Sequence, residues 1–274
     1  MILGVSILDN RLLLALHHGH SKDPEFLSFH IDIELDLNSA PGESVWKAAG
    51  PEALEYYKGA EKIIYAIPSS LCFLKCLDLD SRMINDNPAY SAWLAGTLLP
   101  GELPFYKYDF LPVRESFDGS RMEMIFYAAP AKHVDHIIQA LKAEDDSREI
   151  ILIPEQLGLV KVVDKSLAKG DITQAGIINF ESNGASTVYV KNGHFSHGRF
   201  FVIFPEKREN LPIDVETYLL SRADSTESLP LIITGLPGDF KSNWSPIVPA
   251  FLGIHHLEYA GAWGVADYDF AGTE

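Results

Sequence analysis

Short apolar runs of strand length open the chain. Ile2 to Leu8 and Arg11 to His17 are joined by Asp9-Asn10, a two-residue turn signal, and together they predict a β-hairpin. From Glu25 to Leu35, Phe29, Ile31, Ile33 and Leu35 alternate with His30, Asp32 and Glu34, which predicts a third strand. The period then lengthens. Val45, Ala48, Ala49, Ala53, Leu54 and Tyr57 recur at helical spacing between Ser44 and Lys58, with Ser44 as the expected N-cap and Pro51 interrupting or restarting the helix. Lys62 to Ile67 is a compact strand stopped at Pro68. Three strands, a helix and a strand form the first unit of pattern.

A different rhythm follows. A strand is expected over Leu71 to Leu79, then a helix near Ala89 to Leu99 closed by Pro100-Gly101, then strands over Phe105 to Val113 and Met122 to Ala129. Lys132 to Ala143 carries Val134, Ile137, Ile138 and Leu141 at i, i+3, i+4 and i+7, an amphipathic helix. The charged run from Ala143 to Glu149 reads as a solvated loop, Ile150 to Ile153 as a strand and Glu155 to Ser166 as a helix. After Lys169-Gly170-Asp171 the opening rhythm returns. Gly176 to Phe180, Ser186 to Lys191 and His194 to Ile203 read as strands, the last two joined by Asn192-Gly193, a type of turn that hairpins favour. A helix near Ile213 to Arg222, a strand at Leu231 to Thr234 and a Gly/Ala-rich helix near Gly261 to Tyr268 complete the pattern. Two meanders, each followed by a helix and a further strand, indicate a duplicated α/β architecture with an inserted α+β unit. The expected boundaries are 1–70 with 147–170 for the first half, 71–146 for the insert and 171–274 for the second half.

Composition narrows the function classes. The 274 residues hold 22 Lys+Arg against 38 Asp+Glu, a formal net charge of −16, with 47% apolar residues. That apolar share supports a sizeable core and argues against disorder. The acidity disfavours a sequence-independent grip on nucleic acid or a polybasic membrane anchor. The opening apolar stretch is broken by Asp9, Asn10 and Arg11 and lacks a basic lead-in, so it reads as strands and not as a leader; a cytoplasmic protein is expected. Cys72 and Cys76 are the only cysteines. Four residues of strand separate them by about 13 Å, beyond disulfide reach, so both are expected as reduced, buried thiols.

Generic catalytic motifs are sparse. His17, His18 and His20 are the only dense cluster of imidazoles, without a carboxylate or cysteine at zinc-site spacing, so a strand end with solvent-facing imidazoles is expected and no metal site. Ser182, Ser186 and the histidines lack a G-x-S-x-G elbow, and neither a dinucleotide fingerprint nor a phosphate-binding G-x-x-x-x-G-K-[ST] loop is present. Aromatic residues concentrate in the insert, among them Phe73, Trp93, Phe105, Tyr106, Tyr108, Phe110 and Phe126; most are expected in its core, with some available to line a peptide groove.

Several phrases resemble the actin-like ATPase superfamily, in which nucleotide lies between two duplicated ribonuclease H-like halves. Within it the resemblance is to pilus-assembly and cell-division proteins of the PilM and FtsA type and to the cytoplasmic domain of the secretion protein GspL. Leu3-Gly4-Val5-Ser6-Ile7-Leu8 resembles the first strand and phosphate turn, Ala66-Ile67-Pro68-Ser69-Ser70 the phrase leading into the insert, and Ile177-Ile178-Asn179-Phe180 the second phosphate strand. Ile232-Ile233-Thr234-Gly235 resembles the strand and turn near the adenosine, and Ala262-Trp263-Gly264-Val265-Ala266 the closing helix.

The resemblance also defines departures. Active members place an Asp and a Gly in the first phosphate turn and an Asp-x-Gly in the second, because glycines let backbone N–H groups approach phosphate and the carboxylates hold Mg²⁺ through its waters. Here those positions read Ser6, Leu8, Asn179 and Glu181. The implied vestigial cleft comprises Ser6, Leu8, Asp9, Asn179, Glu181, Thr234 and Gly235, with no catalytic residue, no metal and no cofactor. The expected role is a non-catalytic scaffold or adaptor in a type IV pilus or type II secretion-like assembly. Its partner would be the cytoplasmic tail of an inner-membrane protein, which would hold the chain peripherally at that membrane. The alternative is an active ATPase or phosphotransferase using Mg·ATP, with Asp9 serving a displaced phosphate turn.

Overall fold

The computed structural model describes residues 1–8, 11–18, 25–31, 41–80, 83, 87–116, 118–142, 147–160, 173–181, 184–202, 211–222, 229 and 231–235. β1 (Ile2–Leu8), β2 (Arg11–His17) and β3 (Glu25–His30) form an antiparallel meander. β4 (Lys62–Ile67) pairs in parallel with β1, and β8 (Glu149–Pro154) in parallel with β4, giving a five-stranded sheet of order β3-β2-β1-β4-β8. In the second half β9 (Gln174–Glu181), β10 (Gly184–Lys191) and β11 (His194–Val202) repeat the meander. β12 (Leu231–Gly235) pairs in parallel with β9, so the second sheet runs β11-β10-β9-β12. Apart from β8, which has no counterpart among the described strands of the second sheet, the two orders correspond, which bears out the duplication read from the pattern. A third sheet, β5-β7-β6, is built from β5 (Phe73–Asp80), β6 (Tyr106–Glu115) and β7 (Arg121–Pro130).

Crossovers and covers are helical. α1 (Glu43–Ala49) and α2 (Pro51–Gly59) lead into β4, and α3 (Pro88–Leu98) and α4 (Ala131–Lys142) flank the three-stranded sheet. Residues 155–160 are helical (α5), and α6 (Leu211–Leu220) precedes β12. The N-cap of α1 is Gly42 and not Ser44: the N–H groups of Val45 and Trp46 donate to the Gly42 carbonyl at 2.9 and 3.3 Å. A Cβ there would stand 3.2 Å from that of Ala140, so the close approach of α4 selects glycine at the cap. Gly50, at φ 113°, supplies the left-handed joint that lets Pro51 restart the helix as α2.

The first core gathers the apolar face of α4 (Val134, Ile137 and Leu141) against α1, α2 and the five-stranded sheet. Tyr57 is its centre. Its ring stacks on Trp46 with centroids 5.0 Å apart, and its hydroxyl donates to the Leu141 carbonyl at 2.9 Å. Arg148, expected in a solvated run, lies instead with its guanidinium 4.4 Å over the Tyr57 ring and only 5% exposed. The aromatic face takes a cation that the sequence places in a charged loop. His17 departs from expectation for a related reason: as the last residue of β2 it is 3% exposed, because both faces of that strand are covered from Leu12 onward. His18 does face solvent, with Nε2 3.6 Å from Glu25, and His20 lies outside the described residues.

The second core joins the halves. Ile64 and Ala66 of β4, Ile153 of β8 and Leu157 and Val160 of α5 pack with Ile177, Val188, Val190, Phe195 and Ile232 of the second sheet. In the insert, Phe126 is fully buried beneath Phe73, Tyr108 and Phe110, so most of the aromatic cluster is core as expected. Cys72 follows a 3-10 turn, Ser69–Leu71, and precedes β5; both cysteines are outside any disulfide and half-buried, not fully buried in one strand. The helix expected over Gly261 to Tyr268 lies outside the described residues. Among the described residues no helix is long and apolar enough to cross a membrane.

Two measurements probe this packing. At Gly176 a Cβ would meet side-chain carbons of Leu231 at 2.7 Å and Leu219 at 3.0 Å, and at Gly184 it would strike the Phe200 ring and the Phe201 carbonyl. Gly184→Ala is therefore expected to lower stability by about 2 kcal/mol in urea unfolding, the usual cost of overpacking. At Cys76, burial and then the Glu123 carboxylate, which accepts the thiol hydrogen bond at 3.3 Å, push the pKa up to about 12. The thiol is thus protonated at pH 8, and alkylation there should be slow in the native protein; Glu123→Gln, which removes the opposing charge, should speed it.

Candidate functional site

In sheets with parallel strands, ligands gather outside the carboxyl ends, where strand order reverses. Five described strands end in this way: β1 at Leu8, β4 at Ile67, β8 at Pro154, β9 at Glu181 and β12 at Gly235. Chain leaving the first sheet here meets the second. The 3-10 turn Ser69–Leu71, after β4, contacts β10 and β11, and α5, after β8, enters the core shared by both sheets.

Register aligns the two hairpins. β1 and β2 pair Leu8 with Arg11, and β9 and β10 pair Glu181 with Gly184, so each connection is two residues long and Ser6 stands level with Asn179. Ser6 pairs with Leu13 and is 3% exposed. Asn179, at 4%, lies between Ser186 on β10 and Thr234 on β12, so two of the sequence-selected residues, Asn179 and Thr234, are adjacent across a parallel strand pair. Leu8, Glu181 and Gly235 are the terminal residues of their strands. Asp9 lies outside the described residues, as does Ser182. Both positions therefore carry neutral, buried side chains.

Polar groups outside the implied cleft set join this end of the sheets. Ser69 donates its hydroxyl to Glu155 Oε2 at 3.2 Å, and both residues are buried, at 1% and 6% exposure. Burial, reinforced by the Glu155 carboxylate, pushes the Tyr65 phenol above its ordinary pKa. Ser186 Oγ and Gln156 Oε1 are buried without a hydrogen-bond partner among the described atoms, an arrangement that buried water commonly satisfies. The available signal was positional: Glu155-Gln156 follows an apolar strand immediately, at the carboxyl edge of a parallel pair. Among the described residues no group of three or more His, Cys, Asp and Glu side chains could hold a metal ion.

Two concavities lie in or beside the insert. One, of about 470 Å³, opens between the three-stranded sheet and β11, with Cys76, Asp78, Arg114, Arg121, Glu123 and His197 on its walls. Its arginines are already paired, Arg121 Nε with Asp78 at 2.8 Å and Arg114 Nη2 with Glu123 at 3.6 Å. His197 is held below its ordinary pKa by burial and then by Arg222, so it is neutral at physiological pH. The other, of about 810 Å³, runs between a 3-10 turn, Leu103–Phe105, and the start of α4; Pro104, Phe105, Pro130 and Ala131 give it an apolar floor, and Lys132, Asp135 and His136 a polar rim. Phe105 is 66% exposed there, apart from the buried aromatic core.

No known family profile matches the sequence, and no curated protein matches it. Solved structures do. A chain of a PilM-PilN type IV pilus biogenesis complex aligns over 100% of this chain and 98% of its own, at 14% identity and a TM-score of 0.67. A Bacteroides thetaiotaomicron protein of unknown function, described as having the actin-like ATPase fold, aligns over 88% of this chain and 84% of its own, at 10% identity and a TM-score of 0.56. Sheet order, duplicated meanders and these superpositions agree: the chain has the actin-like ATPase fold.

Proposed function

We propose that this protein is a non-catalytic actin-like scaffold or adaptor that recruits a protein partner, in a pilus or secretion-type assembly at the cytoplasmic face of a membrane. The division proposed with it is 1–70 plus 147–170 for the first half, 71–146 for the insert and 171–274 for the second half. One observation carries the reading: Ser6 and Asn179 occupy the level positions of the two hairpins, neutral and at most 4% exposed. Mg·ATP needs carboxylates and open backbone N–H groups at such positions, and the described residues do not fit it. The sequence adds Glu181 at the end of β9, and a carboxylate a few ångströms from phosphate costs several kcal/mol in a partly dehydrated cleft.

Partner recruitment draws on the fold likeness to a chain solved in a PilM-PilN complex. It also draws on the Phe105 groove, whose apolar floor suits an aliphatic or aromatic anchor. A net charge of −16 favours a partner with a basic tail and speeds its encounter. The competing reading is an ATPase or phosphotransferase with a displaced phosphate turn. It is favoured by Glu155, a buried carboxylate held by Ser69 at the end of β8, and it requires Asp9.

Isothermal titration with Mg·ATP separates the two. The scaffold reading predicts no binding at micromolar affinity. Micromolar binding overturns it, and hydrolysis that Asp9→Ala abolishes would establish the enzyme instead.

A further inference from the structure

The three-stranded sheet of the insert is apolar on both faces. Register sets Phe110 opposite Phe126 and Phe73 opposite Ala128, and these side chains, with Ala95 of α3, make the insert's own core. One residue along, the other face begins: Ile125 stands between Leu111 on β6 and Cys76 on β5. Successive residues of a strand point to opposite sides, so an antiparallel sheet with one face in water alternates apolar with polar. Here the second face carries Leu74, Leu111, Val113 and Ile125 instead, and Ile125 is only 3% exposed.

What covers that face comes from outside the insert. Ile125, with Leu74, Leu111 and Val113 packed around it, belongs to the core that holds Ile64 and Ile153 of the first half and Val188 and Phe195 of the second. The backbone follows the same course. β5, an edge strand of its sheet, contacts β11, an edge strand of the second sheet, and the turn Ser69–Leu71 that leads into β5 contacts β10 and β11. Beyond Ile125 the contact becomes polar, and the cavity of about 470 Å³ opens there between Cys76, Asp78, Glu123 and His197. An apolar centre with a polar, open margin is the anatomy of two docked surfaces. The ion pairs at that margin, Arg121 with Asp78 and Arg114 with Glu123, both lie within the insert.

We infer that the insert is an interdomain strut: the face carrying Leu74, Leu111 and Ile125 docks across both halves and fixes their orientation, so that the insert and the second half loosen together. A unit inserted between β4 and β8 needs contact only with the half whose chain it interrupts. Contact with the second half as well gives it a mechanical role, because moving the halves apart would strip cover from Ile125 and return that face to water, at a cost that grows with the area exposed. Neither a bound partner nor a bound nucleotide is needed for this role.

Native-state hydrogen exchange on the whole chain, read by mass spectrometry, tests the strut from both sides. Phe126 is fully buried in a core made of insert residues, so Phe126→Leu loosens the insert without removing a contact from either half. The amides of β9 and β10 should nonetheless exchange about tenfold faster, and faster again in Phe126→Ala where that variant folds. Leu219 provides the reciprocal measurement. It packs with Val215 and Ile178 on the face of the second sheet turned away from the shared core. Leu219→Ala should speed exchange in β7 of the insert by a similar factor. The route is checked by trimming the docked face: in an Ile125→Ala background, Phe126→Leu should have a much smaller effect on β9 and β10. Faster exchange confined to the insert in the Phe126 variants overturns the inference, as does a β7 that Leu219→Ala leaves unchanged or a response in β9 and β10 that Ile125→Ala does not diminish.

Discussion

Parallel pairing of β1 with β4, and of β9 with β12, constrains most of what surrounds it. A parallel partner cannot be reached by a tight turn, so the chain must cross over, and the crossover needs a helix with an apolar face. In the first half that demand is met by α1 and α2, whose Trp46 and Tyr57 close over the sheet and draw in α4 and Arg148. In the second it is met by α6, where Val215 and Leu219 pack with Ile178, Phe180 and Leu231. Parallel pairing also brings several strands to an end on one side. The polar groups beyond those ends, Ser69, Glu155 and Gln156, are consequences of topology before they are candidates for chemistry.

The same constraint explains which features were legible in the sequence. The hairpin pair of each half follows from local turn chemistry: Asn192 and Gly193, at φ 52° and 77°, adopt the left-handed conformations that a two-residue turn requires. α4 follows from periodicity, since its buried residues Val134, Ile137 and Leu141 are those of the apolar stripe. β6 is legible more clearly in the structure than in its composition, with Tyr106, Tyr108 and Phe110 facing the insert core and Lys107 and Asp109 outward.

What escaped the sequence depends on distant partners. Arg148 is buried because Tyr57, some ninety positions earlier, offers it a ring; nothing near Arg148 records that. Gly42 displaces Ser44 as the cap because Ala140 comes within a methyl group of it. At the candidate site, Ser6 and Asn179 could be chosen by resemblance, and register then showed that they stand level. The Ser69–Glu155 pair spans 86 positions and became visible only when β4 and β8 were neighbours.

Burial at the central strand positions and exposure on the insert point in opposite directions. Ser6 and Asn179 hold neutral side chains withdrawn into the sheets, near a core that joins Ile64, Ile153 and Leu157 to Ile177 and Val190. A hinge built to open between the halves would have to expose those side chains, at about 25 cal/mol for each Å². The insert is the reverse. Met83, Trp93 and Phe105 are three of the four large apolar side chains that the described residues leave exposed. Apolar area left in water is a standing cost to a monomer, and it is reduced when a second surface covers it. The fold therefore withdraws Ser6 and Asn179 from solvent and leaves most of its exposed large apolar side chains, among the described residues, on the insert.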